Sequence, residues 1–421
     1  MRHDLSKMTC IEDLRQVAKR KVPKMFFDYL ESGSWTQTTL RDNTSDFTPI
    51  KLRQKVMVNT ENRSLKHTLL GEEYTMPLAV APIGLAGMLC ADGEILAARA
   101  AEKFGVPYTL STLSIASIED VAHNTSKPFW FQLNPMRDRE FMASLIQRAK
   151  NANCSALVLS ADLQGVGLCH ADIRNGLSAP MKPTVPNLLQ LATKPEWCLR
   201  MLNTDRRTFG NIIGHAKHVH DVSALLSWAN AQFDPTLNWD DIAKIKDLWG
   251  GKIILKGILD PEDAEIATKY GVDAIVVSNH GGRQLDGSLS SIQALPDIVS
   301  AVGNKTEVWL DSGIRSGQDM LKAWAMGARG FMTGRAALYG LGAFGEDGVR
   351  RALEILYREM DLTMAFTGHR QLQNVGRDIL IDHTRPLSSA ERRESIVQQR
   401  HRIYEELYGW PRASLRFGTM W

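Results

Sequence analysis

The chain of 421 residues lacks a long apolar run, a cysteine framework and a strong net charge. No stretch approaches the roughly 20 apolar residues that a membrane-spanning helix requires. Its five cysteines are scattered without any Cys-x-x-Cys spacing, which argues against a disulfide scaffold or a zinc site. A net charge of +3 gives no reason to expect nucleic-acid binding. The composition, 44% hydrophobic and 23% charged, is that of an ordinary globular protein.

The beginning of the chain, MRHDLSKMTCIEDLRQ, lacks the apolar segment of a secretory signal. Scattered cysteines in an odd number also fit a reducing compartment. We therefore expect a cytoplasmic protein.

Short apolar runs alternate along the chain with segments of helical periodicity. The eight runs are 78–82, 106–112, 129–134, 156–162, 252–257, 273–279, 307–313 and 330–335. Their hydrophobicity is continuous rather than alternating, as in strands that are buried on both faces of a parallel sheet. Helix starts are expected at Asp260 and Ser316, and helix ends at Gly271 and Gly327. The pattern predicts a (β/α)8 TIM barrel, with a doubly wound open sheet as the alternative.

We expect one domain over residues 1–421, with the barrel core at about 78–345. Residues 1–70 are predicted to form two helices and a short hairpin that cap the bottom of the barrel. Residues 175–239 form a long insertion after the fourth strand, which is a candidate lid, subunit contact or peripheral membrane contact. Residues 360–421 are expected to form a helical tail.

Polar residues occupy the carboxyl ends of the predicted strands, where barrel enzymes carry their active sites. The residues at these strand ends are Pro82, Ser111, Gln132, Ser160, Asp162, Lys256, His280, Asp311, Gly334 and Arg335, and all but Pro82 and Gly334 have polar side chains. Apolar strands that end in Lys, His, Asp and Arg are hard to explain by packing. The set therefore indicates an enzyme.

A phosphate site is expected after the last two strands. Gly313 permits close backbone approach before one helix, and Gly334 precedes another. Arg315 and Arg335 would add charge-assisted hydrogen bonds. We expect a phosphorylated substrate or a phosphate-bearing cofactor there.

Five motifs resemble the FMN-dependent α-hydroxy acid oxidising family, which includes glycolate oxidase, L-lactate dehydrogenase and mandelate dehydrogenase. The most specific is SNHGGRQLDG at 278–287, and the resemblance covers about residues 10–375. The supporting motifs are PKMFFDYLESG at 23–33, ILKGIL at 254–259, DSGIRSGQD at 311–319 and GRAALYG at 334–340. The resemblance implies FMN as cofactor and an oxidoreductase that acts on an L-lactate-like 2-hydroxy acid.

The resemblance also implies roles for individual residues. His280 would be the base, Asp162 would stabilise its imidazolium, and Lys256 would stabilise the reduced flavin. Arg283 and Tyr29 would bind the substrate carboxylate. The flavin ring would lie against Pro82, Ile83, Gly84, Ser111, Gln132, Ser160 and Ser278, and the ribityl phosphate against Asp311, Gly313, Arg315, Gly334 and Arg335. A homotetramer is implied too, and Gly84 favours an electron acceptor other than oxygen.

Two positions depart from the family pattern near the substrate. Asn134 stands where the family carries a tyrosine, and Cys169 stands where it carries a second carboxylate-binding arginine. Ser160 also replaces a threonine. A small 2-hydroxy acid is therefore one expectation, and an amide, ester or peptide-linked group is another.

Two further functions stay open from the sequence. Lys256 could form a Schiff base in an aldolase, or the chain could bind flavin without turnover. His215, His218 and His220 resemble a metal cluster, but their spacing does not place them on one helix face, so we expect no metal there. Gly165-Val166-Gly167 lacks a following helix start, so we expect a flexible loop.

Overall fold

The computed structural model describes residues 4–177, 184–215, 227–228 and 231–381. Its main element is a ring of eight strands in the order β3-β10-β9-β8-β7-β6-β5-β4. Their bounds are β3 Leu78–Val80, β4 Thr109–Ser111, β5 Trp130–Leu133, β6 Ala156–Ser160, β7 Lys252–Ile258, β8 Ala274–Val277, β9 Glu307–Leu310 and β10 Gly330–Thr333. Every neighbouring pair is parallel, and a single bridge between Val80 and Tyr108 closes the ring. The predicted barrel is confirmed, and the open sheet is not observed.

Helices surround this ring, and the described part of the chain contains sixteen of them. They are α1 Ile11–Lys21, α2 Lys24–Glu31, α3 Thr38–Ser45, α4 Ala86–Leu89, α5 Gly93–Phe104, α6 Ile118–Asn124, α7 Arg139–Asn151, α8 His170–Arg174, α9 Val185–Leu191, α10 Pro195–Leu202, α11 Trp239–Trp249, α12 Pro261–Lys269, α13 Ser291–Val302, α14 Gly317–Ala325, α15 Arg335–Phe344 and α16 Glu346–Phe366. Within the same ranges, no helix combines the length and apolar character needed to cross a bilayer.

The predicted helix boundaries follow from their capping chemistry. The side chain of Asp260 accepts from the backbone of Glu262 at the start of α12, and Ser316 forms a reciprocal capping box with Asp319 at the start of α14. Gly271 lies two residues beyond the end of α12 in a left-handed conformation, with a φ of 65°. These short-range signals are therefore confirmed to within one or two residues.

The amino-terminal end of the barrel is closed by the hairpin of β1 (His67–Leu69) and β2 (Glu72–Tyr74). Leu69 packs into a buried cluster with Trp130 and Trp309, whose rings stack at 5.4 Å. The N–H of Leu70 also donates to Glu307, the first residue of β9, at 3.3 Å, so the hairpin seals the amino-terminal end and leaves the other end open.

The prediction that residues 1–70 cover the bottom is wrong for α2 and α3. These helices lie at the opposite, carboxyl end of the strands. The side chains of Asn43 and Asn279 exchange two hydrogen bonds of 2.7 and 2.8 Å, and backbone carbonyls after α2 accept from Arg283. The sequence signal was amphipathic periodicity, which indicates a buried face but not the end of the barrel on which it lies.

The insertion and the tail are only partly described. The insertion contributes helices α9 and α10, and α11 at its end packs against α7. Residue 360, where the tail was expected to begin, lies inside α16, which continues to Phe366. The remainder of the predicted tail, from 382 onward, lies outside the described residues.

Candidate active site

A cavity of about 430 Å³ opens at the carboxyl end of the barrel strands. Most of the residues singled out in the sequence line it together: Tyr29, Pro82, Ile83, Gly84, Ser111, Gln132, Asn134, Cys169, Lys256, His280, Arg283, Asp311, Gly313, Arg315, Gly334 and Arg335. Ser160, Asp162 and Ser278 stand behind this lining and hydrogen-bond to it. The strand ends therefore converge on one site.

His280 is held by a carboxylate on the neighbouring strand end. Its Nδ1 lies 3.1 and 3.2 Å from the two oxygens of Asp162, which leaves Nε2 for a substrate. A Cβ at Gly257 would fall 2.5 Å from Cγ of Asp162, so glycine is required for this approach. Burial opposes the ionisation of Asp162, but the nearby His280 and Lys256 outweigh it and lower its pKa. Asp162 is thus a fixed anion that can stabilise a protonated His280.

A second buried pair lies beside the first. Nζ of Lys256 is 2.8 Å from Asp311, and the hydroxyl of Ser278 donates to Asp311 at 2.9 Å. Burial alone would lower the pKa of Lys256, but Asp311 and Asp162 outweigh it and raise that pKa. The same Ser278 oxygen accepts from the backbone of His280 at 3.1 Å. Ser278 therefore ties the cation to the loop that carries the base.

A chain of amides and hydroxyls crosses the cavity floor. The backbone N–H of Thr112 and the hydroxyl of Ser111 both point at Oε1 of Gln132, at 3.4 and 3.2 Å. Since a backbone N–H can only donate, the amide nitrogen of Gln132 must face the other way. It donates to Ser160 at 3.0 Å and to Oδ1 of Asn134 at 2.5 Å. Asn134 is thereby oriented with its own NH₂ group as the end that remains available.

Arg283 is bound on several sides. Its Nη1 donates to the carbonyls of Tyr29 and Ser32 at 2.7 and 3.0 Å, and Nη2 donates to Asp172 at 2.8 Å. The guanidinium also lies 4.5 Å from the centre of the Tyr29 ring. Burial raises the pKa of Asp172 above its ordinary value, although the charge of Arg283 and the hydrogen bonds from Arg283 and Ser32 oppose that rise. Cys169 lies in the same wall, and burial raises the pKa of its thiol.

Two further guanidinium groups of like charge, Arg315 and Arg335, line the cavity. Neither forms an ion pair within the described residues. Burial and the charge of Arg315 lower the pKa of Arg335 to about 10. All three nitrogens of Arg335 donate to backbone carbonyls, those of Leu30, Gly281 and Ser32. The start of α15 at Gly334 has no side-chain cap, so its N–H groups face this part of the cavity unpaired by side chains. The region fits a phosphate group.

Several lining residues were missed by the sequence analysis. Asp172 was not among the residues singled out, and Phe209 and Phe233 belong to the insertion. Phe233 reaches the site through a bridge to Met136. No local pattern marks such residues, because their position depends on how the insertion folds back.

The prediction that the three histidines bind no metal falls mostly on residues that the structure does not describe. His215 stacks on Phe141 at 4.0 Å and lies 3.2 Å from Asp138. His218 and His220 lie outside the described residues. In the predicted glycine loop, the N–H of Gly167 donates to Gln284 at 3.0 Å, so this loop is anchored beside the site.

Comparison with known proteins places the whole barrel in one family. The model of the FMN-dependent dehydrogenase family matches residues 18–382. An L-lactate dehydrogenase of Pseudomonas syringae pv. syringae (strain B728a) is 43% identical over 370 residues, which are 88% of this chain and 97% of that protein. The solved monotopic membrane protein (S)-mandelate dehydrogenase superposes with a TM-score of 0.85 at 34% identity, over 89% of this chain and 99% of that one.

A third relative was solved with a small molecule. It is a mandelate oxidase variant in a structure with 2-hydroxy-phenylacetamide, with a TM-score of 0.73 and 33% identity over 88% of this chain and 97% of that one. The resemblance inferred from the five motifs is therefore confirmed along most of the chain. This chain belongs to the FMN-dependent dehydrogenase family.

Proposed function

We propose that His280 acts as the base in the oxidation of a 2-hydroxy acid, or a derivative of one, to the 2-oxo product. The chain is an FMN-dependent oxidoreductase that acts on a CH–OH donor. The observation that carries the assignment is the pairing of His280 with Asp162 at 3.1 Å, on the wall of the cavity that also holds Lys256.

The residues of this chain divide the proton chemistry between them. Nε2 of His280 takes a proton from the substrate, either from Cα or from the hydroxyl. Asp162 then stabilises the imidazolium by its charge and holds the ring through Nδ1. FMN, when bound, accepts the electron pair that leaves the substrate carbon. Later, His280 returns its proton to solvent.

The cavity residues suit FMN in shape and charge. Lys256 supplies a fixed positive charge, which favours the negative charge that a reduced flavin carries. Gln132 presents its amide within a row of hydroxyls, which would suit the polar edge of the ring. Arg315, Gly313 and the uncapped start of α15 would hold the phosphate. Gly84 lines the cavity without a side chain, and a Cβ there would crowd the carbonyl of Leu113 at 3.2 Å.

The same geometry opposes the aldolase alternative. A Schiff base requires a neutral amine, whereas Lys256 is 2.8 Å from Asp311 and its pKa is raised despite burial. An amine held as a buried ammonium is a poor nucleophile. The lysine is better suited to a permanent charge.

Anaerobic mixing with candidate donors tests the proposed function. The FMN-loaded protein is mixed with L-lactate, mandelate, their amides and their methyl esters, and the visible flavin band is followed. We expect bleaching by at least one compound. A protein that stays yellow with all of them would support flavin binding without turnover instead.

We also propose a peripheral membrane contact through the insertion. Val185 and Leu189 lie one turn apart on α9 and are 69% and 68% exposed, and Leu199 and Leu202 on α10 are 62% and 67% exposed. The mandelate dehydrogenase relative is described as a monotopic membrane protein. Sedimentation with lipid vesicles tests the contact, and a Leu199→Ser/Leu202→Ser variant that binds equally well would contradict it.

Three finer expectations remain proposals of the same kind. A homotetramer would give a fourfold mass in analytical ultracentrifugation. A non-oxygen acceptor would leave the reduced enzyme slow to reoxidise in air but fast with a quinone. A cytoplasmic location, with the insertion against the inner face of the membrane, would be seen by cell fractionation.

A further inference from the structure

Each basic side chain that faces the substrate part of the cavity contacts a carboxyl group. His280 lies against Asp162 at 3.1 Å, and Lys256 against Asp311 at 2.8 Å. The third, Arg283, lies 2.8 Å from Asp172. Arg335 lies beside Arg283, since both donate to the Ser32 carbonyl, but its three nitrogens all donate to backbone carbonyls. Among the described residues that line the substrate part of the cavity, no basic side chain is therefore left without a hydrogen-bonding or ionic partner.

Arg283 has few N–H groups left with which to bind an anion. Both N–H groups of Nη1 are used by the carbonyls of Tyr29 and Ser32, and Nη2 is used by Asp172. Of its five N–H groups, this leaves Nε–H and one on Nη2. The carboxyl of Asp172, 2.8 Å away, already faces the guanidinium. A substrate oxygen can still accept a hydrogen bond there, but it shares Arg283 with that carboxyl.

The other groups on this side are neutral. Asn134 is buried, and the hydrogen bond from Gln132 to its Oδ1 directs its NH₂ toward the cavity. Burial raises the pKa of Tyr29 and that of the Cys169 thiol, so both remain uncharged at neutral pH. The hydroxyl of Tyr29 lies close to Gly84, where an added Cβ would fall 3.4 Å from it. These groups donate hydrogen bonds without carrying charge.

The walls around this side are also apolar. Leu163, Leu177 and Phe209 line the same cavity and are buried, whereas Leu168, Ile173 and Phe233 also line it but are partly exposed. An anion placed against the buried members would lose hydration. A neutral carbonyl loses far less, and neutral donors satisfy it well.

We propose that this site prefers a 2-hydroxy acyl group in its neutral form, as an amide or an ester, over the free carboxylate. The proposal rests on the proposed function, because it concerns the substrate of the same site. The acyl carbonyl would accept from Asn134 and the remaining Arg283 N–H groups. The hydroxyl-bearing carbon would then face His280.

Two matched pairs of compounds test the preference. 2-Hydroxy-phenylacetamide is compared with mandelate, and L-lactamide with L-lactate, by the second-order rate of anaerobic flavin reduction. We expect the amide to be faster by roughly tenfold or more, the effect of one unpaired buried charge. Equal rates, or a faster carboxylate, would overturn the proposal.

A binding measurement keeps this test separate from that of the proposed function. Phenylacetamide and phenylacetate lack the hydroxyl and cannot be oxidised, so their affinities for the FMN-loaded protein report recognition alone. Calorimetric titration should show the amide binding roughly tenfold more tightly. If no donor bleaches the flavin but the amide still binds better, the proposed function fails and the preference stands. Tighter binding of phenylacetate overturns the preference whatever the turnover.

Variants test whether the preference for the amide depends on the charges of the side chains around Arg283. Cys169→Arg adds a cation to the wall, so the amide-to-carboxylate ratio should fall by roughly tenfold or more. Cys169→Ser, which adds no charge, is the matched control and should keep the parent ratio. Asp172→Asn frees the charge of Arg283 and should shift the ratio in the same direction, which covers the case in which the arginine variant fails to fold. Unchanged ratios in folded Cys169→Arg or Asp172→Asn protein would overturn the proposal.

Discussion

The base region of the cavity, around His280, and its acyl-binding region, around Arg283, both set a basic side chain against a carboxyl group. The two regions differ in which nitrogen atoms remain available to a substrate. His280 is bound by Asp162 through Nδ1 alone, and its Nε2 remains for chemistry. Arg283 is bound by two carbonyls and Asp172, and most of its donors are used. The comparison teaches that two neighbouring pairs of a basic side chain and a carboxyl group can differ in how many hydrogen-bonding groups they leave for a substrate.

The largest expected effect is at His280. His280→Ala removes the proton acceptor, so anaerobic flavin reduction should slow by about 10²–10⁴-fold. Stopped-flow absorbance measures the rate, and FMN affinity checks that the cofactor still binds. His215→Ala is the matched control, because His215 lies outside the cavity and pairs with Asp138. A His280→Ala protein that reduces flavin at the parent rate would remove the base assignment.

Lys256 comes next, because its loss leaves Asp311 buried and unpaired. Lys256→Met should lower the free energy of unfolding by about 3–5 kcal/mol, measured by urea denaturation with FMN present. Lys252→Met is the control on the same strand, since Lys252 is half exposed in its pair with Asp273 and should cost about 0–1 kcal/mol. If the two variants lose equal stability, the ion pair at Lys256 is not buried as described. The double variant Lys256→Met/Asp311→Asn should regain part of the loss.

A smaller effect concerns acid stability. Burial raises the pKa of Asp311, but Lys256 and Ser278 outweigh it, so the folded value lies below the ordinary 3.8. A lowered folded pKa means that the stabilisation is present above 3.8 and is lost as pH falls through the folded value. Asp311→Asn should therefore show a shallower loss of unfolding free energy in acid than the parent. Identical acid slopes for the two proteins would contradict the assigned direction.

The smallest effect is expected at Gly84, which lies between the two regions. A Cβ there would stand 3.2 Å from the Leu113 carbonyl and 3.4 Å from the Tyr29 hydroxyl, so small shifts would accommodate it. Gly84→Ala should slow flavin reduction by less than tenfold, below about 1.4 kcal/mol in activation free energy. A complete loss of FMN binding would show that the ring needs more room at Gly84 than the cavity suggests.

The sequence predicted those features of the site that depend on short segments of the chain. Lys256, His280 and Asp311 follow apolar strands, and a closed parallel barrel brings such ends together, so their convergence was foreseeable. The carboxyl partner of Arg283 could not be foreseen, because Asp172 contacts it between two segments whose packing no local sequence pattern indicates. The orientation of Arg335 was missed for the same reason.

Those missed contacts have one origin. Helix α2 lies at the mouth of the barrel rather than at its bottom, and its carboxyl-terminal carbonyls use the donors of both Arg283 and Arg335. Amphipathic periodicity predicted the helix but not its location. The residues at the strand ends could therefore be predicted from the sequence. The partners of Arg283 in the acyl-binding region could be identified only from the structure.

The most direct test of the account is the anaerobic reaction of the FMN-loaded protein with 2-hydroxy-phenylacetamide and mandelate, each with hydrogen or deuterium at Cα. The account predicts that the visible flavin band bleaches and that deuterium slows the bleaching, because the bond at Cα breaks as electrons leave the substrate. A flavin band unchanged by all four compounds, or bleaching with no isotope effect when that step limits the rate, would contradict it.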